Sequence, residues 1–245
     1  MEQYLSYAQR VSKKEYAAEP LILGIESSCD ETCAAVIRGR ELLSNAVLSS
    51  AAEQAKYGGV VPELASRAHT DAVGKAVFEA LAQAGVRGEQ LSAVAVTYGA
   101  GLLGALLVGL SFAKAYAFAL GLPLIAVDHI RGHMAAAYLA DTALEPPFIT
   151  LLASGGHTAV LYTKSYTDFE ILGSTRDDAA GEAFDKVARI LGLPYPGGPS
   201  VEKLAREGKA QIPLPKMFAG NGYDFSYSGL KTADVNYCHN KEQRG

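Results

Sequence analysis

The sequence predicts an α/β protein built as two lobes of one topology. Three observations predict it. A strand, a polar turn, a second strand and a third strand occur over 21–49, and the same order returns over 148–173. Each set is followed by segments with the spacing of amphipathic helices. Between the two sets stands Glu145-Pro146-Pro147, a stretch suited to a lobe boundary.

Leu21 to Glu26 (LILGIE) is a short apolar run, as in a buried strand. Ser27 to Thr32 form a polar turn, and Cys33 to Ile37 a second strand. Arg38-Gly39-Arg40 turns the chain into a third, Leu42 to Ser49. Pro62 to Gly85 reads as a helix, with proline at its first position and glycine as its cap. Its predicted apolar stripe is Leu64, Ala68, Ala72, Val73, Ala76, Val77, Ala80 and Leu81. Leu91 to Thr97 is the next strand. A nearly unbroken apolar stretch then runs to Gly121. It is long enough to span a bilayer, but Lys114 stands in its middle, where a charge is costly. A fully buried helix followed by the strand Pro123 to Val127 is the reading adopted, with no membrane partner. Ile130 to Asp141 is a further helix, with Asp128 as its N-cap.

In the second half, Phe148 to Ala153 and Thr158 to Thr163 are strands around the turn Ser154-Gly155-Gly156-His157, and Phe169 to Gly173 is a third. Ala179 to Leu191 is a helix with Ala183, Phe184, Val187, Ala188 and Leu191 on one face. Another helix begins at Pro199-Ser200. This duplication without sequence repetition predicts the two-lobed fold shared by actin, the sugar kinases and the Hsp70 ATPases. Amides of the strand–turn–strand hairpins hold phosphate groups in that fold.

Composition narrows the function classes. Hydrophobic residues make up 49% and charged residues 20%, as in an ordinary globular protein. The formal charge of −4 lacks the basic footprint of a chain that grips nucleic acid unaided. Three cysteines, Cys29, Cys33 and Cys238, do not form a disulfide framework. Residues 1–20 have no apolar core with a cleavage site, so they read as an N-terminal extension and not as a signal peptide.

Four groups of residues carry candidate chemistry. His129 and His133 lie four apart, on one helix face, where two imidazoles can share a cation. Chance gives such a pair about 0.1 times in a chain with this histidine content, so coincidence stays open. A zinc protease would place a glutamate after the first histidine to act as general base; here Ile130 stands there. A metal that anchors or polarises a substrate fits better. Leu152-Ala153-Ser154-Gly155-Gly156 is a strand ending in a turn that can present amides to an anion, or a plain hairpin. Asp185 and the Gly197-Gly198 pair, with Glu202 beyond, form a third group: a part-buried carboxylate for ribose hydroxyls, a second close-approach glycine, and a glutamate that could reach a ligand but reads first as solvated. Glu26, Asp30 and Glu31 are the fourth, suited to water or metal or simply to the turn. No residue is assigned as catalytic base.

Taken together, ILGIESSCDET, KYGGVVPELASR, GLLGALLVGLSFAKA, HIRGH, LLASGGHT, DDAAGEAFDK, YPGGP and DFSYSGLKT stand in an order and spacing that resembles the tRNA N6-adenosine threonylcarbamoyltransferases, formerly described as O-sialoglycoprotein endopeptidases. The resemblance implies transfer of a threonylcarbamoyl group from threonylcarbamoyl-AMP to N6 of the adenosine 3′ of the anticodon, in tRNAs reading codons that start with A. It implies His129 and His133 as ligands of one divalent metal, Fe(2+) or alternatively Zn(2+). It gives Leu152, Ala153, Ser154, Gly155, Gly156, Asp185, Gly198 and Glu202 to the adenylate. It further implies a smaller paralogue of the same fold and a P-loop ATPase subunit as partners, and a cytoplasmic location.

Two departures from the family pattern bear on these expectations. Arg131 stands where the family often has glutamate, and is expected to point away from the pair. The family's adenylate-contacting asparagine and its third metal ligand, an aspartate, have no match before Gly245. The expectation is therefore a first lobe over 21–146 that carries the metal helix, a partial second lobe over 147–245, and a poor catalyst in isolation. A non-catalytic scaffold or binding subunit of the same complex is an alternative. A phosphotransferase of the same fold is another, one that leaves the histidines without a role.

Overall fold

A computed structural model describes residues 18–218 and 222–244, together with Tyr7, Gln9 and Val11. Most of the expected N-terminal extension lies outside the described residues. The chain divides into two compact units, residues 1–143 and 144–245. The sequence reading set the change slightly later, at Pro146-Pro147.

The first unit holds a five-stranded sheet. Its strands are β1 (Leu21–Glu26), β2 (Glu31–Arg38), β3 (Glu41–Ser49), β4 (Ala93–Gly99) and β5 (Leu124–Asp128), in the order β3-β2-β1-β4-β5. The first three form an antiparallel meander, and β4 and β5 join parallel to β1. The short α1 (Ala51–Gln54) leads to α2 (Pro62–Ala84), and α3 (Leu103–Leu120) connects β4 to β5. Alternation in the strands turns Leu23, Ile25, Ala34, Val36, Val94 and Val96 to one face. There they pack with Val73, Ala76, Val77 and Ala80 of α2 and with Ala113 and Ala117 of α3. Each Leu, Ile or Val so buried contributes about 1.5–3 kcal/mol, which makes this face the stabilising centre of the unit. Left-handed Gly85 and Gly121 end the two helices, as the sequence predicts.

Two details differ from the expectation. The buried face of α2 includes Ala65 and His69, while Leu64, Ala68, Ala72 and Leu81 are only half-buried. Polar bonding draws the N-terminal half of the helix round: His69 Nδ1 bonds Thr32 Oγ1 at 2.7 Å, and its Nε2 bonds the Cys29 carbonyl at 2.9 Å. The apolar helix α3 is buried on one side only. Ala105, Leu106, Gly109, Ala113 and Ala117 are covered by α2 and the sheet, whereas Leu103, Leu107 and Phe118 are exposed on the opposite side, where the Tyr7 ring lies 5.2 Å from that of Phe118. By length and composition this is the one helix among the described residues that could cross a membrane. In this fold it connects two parallel strands.

The second unit holds an antiparallel sheet of β6 (Phe148–Ala153), β7 (Thr158–Thr163) and β8 (Phe169–Ser174). Helices α5 (Ala180–Ile190), α6 (Gly197–Ala205) and α7 (Ser228–Arg244) follow. Helix α6 starts at Gly197, two residues before the predicted Pro199, because Pro196 supplies the extended residue ahead of it. On α5, Ala183 and Ala188 are buried, but Phe184 and Leu191 are exposed, against the predicted face. The close seat of α6 explains this. A Cβ on Gly197 would lie 2.5 Å from the Asp185 Cα and 2.8 Å from the Ala188 Cβ, so the covered side of α5 runs through 185 and 188.

Candidate functional site

In the first unit, β5 ends at Asp128 and the histidine-bearing helix α4 (His129–Ala140) begins at once. Asp128 is its N-cap: one carboxylate oxygen accepts from the Ile130 N–H at 3.0 Å and the Arg131 N–H at 3.2 Å. This cap fixes the start of the helix and so aims His129 back over the strand ends. Four residues on, His133 lies above it, and the two Nε2 atoms are 2.9 Å apart. The rings meet edge to face, with centroids 4.4 Å apart. Arg131 is exposed, as its place on the helix predicts.

Glu26, at the end of β1, reaches the same spot. Its Oε1 accepts the Ser28 N–H. Its Oε2 accepts the Thr97 hydroxyl at 2.5 Å and bonds His129 Nδ1 at 3.1 Å. Burial pushes this carboxyl up, but the bonds from His129, Ser28 and Thr97 outweigh it and hold the group at about 2. Glu26 is therefore ionised at neutral pH. The same bond raises the affinity of His129 for a proton, partly offset by burial. Ser28 Oγ lies 3.2 Å from the same Nδ1.

A cavity of about 430 Å³ opens here on the face of the sheet, lined by Glu26, Cys33, Thr97, His129, Gly132 and His133 among others. Burial pushes the Cys33 thiol up to about 11, so it is protonated at neutral pH and does not act as a nucleophile. A Cβ on Gly132 would meet nothing within 4 Å, so packing does not require glycine there; its effect is to leave that wall of the cavity open. Asp30 and Glu31 do other work. The Asp30 carbonyl accepts the Ser50 amide and hydroxyl, and Glu31 opens β2 on the surface.

The two imidazoles suit a metal. Nitrogen ligands sit about 2.0–2.1 Å from such an ion, so two at the tetrahedral angle are about 3.3–3.4 Å apart and two at a right angle about 2.9 Å; the His129 and His133 Nε2 atoms, 2.9 Å apart, stand at the right-angle separation and reach the tetrahedral one by a small opening of the pair. Among the described residues no group of three or more His, Cys, Asp and Glu forms a metal cluster, and these two are the imidazole donors that the described residues bring together at this spot.

In the second unit, the turn 154–157 between β6 and β7 closes on itself. The Ser154 N–H donates to the His157 carbonyl at 2.8 Å, and the His157 N–H donates to Ser154 Oγ at 3.1 Å. The N–H groups of Gly155 and Gly156 bond no partner among the described residues. Neither glycine has positive φ, and a Cβ on either would meet nothing within 4 Å. The fold thus gives no reason for glycine at either position, whereas close approach of a ligand to the backbone does. Gly181 presses on this turn: its N–H donates to the Ser154 carbonyl at 3.1 Å, and a Cβ there would fall 2.7 Å from the Gly155 Cα. Thr158 Oγ1 takes the Ala180 N–H at 2.8 Å, so the Ala180 and Gly181 amides at the start of α5 are both spent inside the protein.

Asp185 continues the chain of contacts. Its half-buried carboxylate accepts the Gly197 N–H at 2.6 Å and ties α5 to the start of α6. Gly197 is required by that packing; Gly198, beside it, has open space where a Cβ would stand. Glu202 is exposed and pairs with Arg206 at 2.7 Å, which is the bonding of a solvated helix face. Leu152 is buried beneath the turn and Ala153 is exposed at its edge. The turn at Ser154 to Gly156 meets α5 at Gly181, and Asp185, four residues further along that helix, bonds Gly197, the neighbour of Gly198; Glu202 is paired with Arg206.

A meander joined to parallel strands, a glycine turn with two open amides and a paired-histidine helix define an α/β protein of the actin-like class. Component A of (R)-2-hydroxyglutaryl-CoA dehydratase from Acidaminococcus fermentans shares the fold, with a TM-score of 0.51 and 14% identity over 92% of this chain and 69% of that one. A family model described as tRNA N6-adenosine threonylcarbamoyltransferase matches residues 41–241. The protein of that name from Moorella thermoacetica is 55% identical over 235 residues, 95% of this chain and 69% of its own length. The one from Clostridium botulinum strain Hall is 54% identical over 227 residues, 91% and 67% respectively. The chain belongs to the tRNA N6-adenosine threonylcarbamoyltransferase family.

Proposed function

We propose that this chain is an acyltransferase that moves a threonylcarbamoyl group from threonylcarbamoyl-AMP to N6 of the adenosine 3′ of the anticodon, in tRNAs reading codons that start with A. The observation that carries this is the match at 55% identity across nearly the whole chain to a relative of that name. In the reaction the adenine N6 attacks the carbamoyl carbon. The bond from that carbon to the phosphate oxygen breaks, AMP leaves, and the N6 proton passes to solvent.

Residues of the chain divide this work. His129 and His133 would hold one divalent metal, Fe(2+) or Zn(2+), through their Nε2 atoms; that these two atoms face each other at one spot supports this. When bound, such an ion supplies Lewis-acid polarisation of a carbonyl oxygen. The Gly155 and Gly156 amides, unspent within the fold, receive the phosphate of the AMP part. Asp185 has one carboxylate oxygen committed to Gly197 and offers its other to a ribose hydroxyl. Gly198 leaves room beside it. Glu202, paired with Arg206, contributes less. The formal charge of −4 agrees with tRNA being held jointly with other proteins. The partners in this reading are a smaller paralogue of the same fold and a P-loop ATPase, in the cytoplasm.

The test is to incubate the chain and these partners with threonylcarbamoyl-AMP and an unmodified tRNA transcript, then analyse the nucleosides. The modified adenosine is expected in the native transcript and absent where that adenosine is replaced by guanosine. No modification of either transcript would overturn the reading.

A further inference from the structure

Glu26 is used by nothing described so far except as a neighbour of the histidine pair. The fold holds its carboxylate by both oxygens. It sits where β1 ends, its Oε1 is held by the Ser28 N–H, and its Oε2 by the Thr97 hydroxyl at 2.5 Å. Two strands, β1 and β4, thus set the position of one carboxylate. From that position Oε2 faces His129 Nδ1 at 3.1 Å.

A carboxylate only accepts hydrogen bonds. A ring nitrogen facing it at this distance must therefore carry the proton, since a lone pair there would meet the negative oxygen. Ser28 Oγ, 3.2 Å from the same nitrogen, then takes the role of a second acceptor. With Nδ1 protonated, Nε2 of neutral His129 presents its lone pair, and it does so toward His133 Nε2 at 2.9 Å. Without Glu26 the opposite tautomer is as accessible, and it would set an N–H where a ligand lone pair is needed.

We propose that Glu26, braced by Thr97 and Ser28, is the positioning residue that holds His129 in its Nδ1–H tautomer and so makes the histidine pair a metal-binding pair. The arrangement is a carboxylate–histidine–metal relay in which the carboxylate never touches the ion. The metal part rests on the reading of His129 and His133 given above; the tautomer part does not.

Two measurements on the full chain separate them. Long-range proton–nitrogen NMR of ring-labelled histidine reads the tautomer without metal or activity. The native chain is expected to show His129 protonated at Nδ1, and Glu26→Gln to shift it toward Nε2–H, because the amide can turn an N–H toward the ring. Titration with Zn(2+) or Co(2+) is expected to show about 10- to 100-fold weaker binding in Glu26→Gln. Thr97→Val, which keeps side-chain volume and removes the brace, should weaken binding to a smaller degree, and Thr97→Ser should restore it. This series keeps the test open if Glu26→Gln fails to fold. An unchanged His129 tautomer and unchanged metal affinity in Glu26→Gln and Thr97→Val would overturn the proposal. A native chain that takes up neither ion overturns the metal reading instead, and the NMR spectrum still decides the role of Glu26.

Discussion

At the scale of single residues, the second unit contains a matched pair of glycines with opposite reasons. Gly197 is pressed against the Asp185 and Ala188 backbone and side chain, while Gly198 faces open space. Gly197→Ala should therefore destabilise the protein by about 1–3 kcal/mol through overpacking. Gly198→Ala lies in the first turn of α6, where alanine favours helix by about 0.5–1 kcal/mol. It should leave stability equal or higher while weakening AMP binding. Denaturant unfolding and AMP titration of the two variants check this; weakened stability in Gly198→Ala with unchanged AMP binding would contradict it. The candidate site was legible in the sequence to the extent that spacing encodes it. His129 and His133 at four residues apart, the Ser-Gly-Gly turn and Asp185 all stood out. Glu26 stood out only as one of three carboxylates, because its partners Thr97 and His129 are brought to it by sheet pairing and not by sequence proximity. His69 was missed: a histidine satisfied on both nitrogens inside an apolar helix face leaves no local signal.

At the scale of elements, close approach and capping decide how helices sit. A Cβ on Gly109 would collide with Ser27 Oγ and lie 3.1 Å from its Cβ, so α3 meets the end of β1 only through glycine. Gly109→Ala should cost about 1–3 kcal/mol. Adding Ser27→Gly should recover part of that, although it also removes the bond from Ser27 Oγ to the Ala105 carbonyl. A double-mutant cycle in urea measures the coupling, and strictly additive losses would show that the contact is not the cause.

Helix α7 depends on a different device. The Asp177 carboxylate accepts the Tyr227 N–H at 2.8 Å, the Ser228 N–H at 3.3 Å and the Ser226 hydroxyl. Desolvation raises this carboxyl, and the bonds from Ser226, Ser228 and Tyr227 more than reverse that, from 3.8 to about 2. A lowered folded-state value means the stabilisation is whole above the unfolded value and is lost as pH falls through the folded one. Asp177→Ala should thus cost about 1 kcal/mol at neutral pH, and the gap to the native chain should narrow as pH falls from about 4 to about 2. Unfolding in urea at pH 7, 4 and 3 tests this, and a gap independent of pH would rule the cap out as its source.

At the scale of the whole molecule, the element order came through from the sequence because strand runs and helix periodicities are local properties. The five strands of the first unit, the three of the second and the glycine-capped ends of α2 and α3 were all readable. Burial was harder to read. Leu103 and Leu107 in α3, Phe184 in α5 and Leu191 at its C-terminal end are apolar yet exposed, because what covers a helix is set by the neighbouring layer and not by the helix. The chain spans 69% and 67% of the length of the two relatives described. The family identity nonetheless rests on residues in both units, from the start of β3 to the body of α7.

His129 and His133, as the proposed metal ligands, are expected to serve threonylcarbamoyl transfer. The most direct measurement is the rate of N6-threonylcarbamoyladenosine formation, from threonylcarbamoyl-AMP and unmodified tRNA with the partner subunits present, in the native chain and in His129→Ala/His133→Ala. At least a roughly 100-fold loss is expected in the double variant, a few kcal/mol of transition-state stabilisation, with folding retained by circular dichroism and with metal absent from the purified protein. Modification at the native rate by the folded double variant would contradict it.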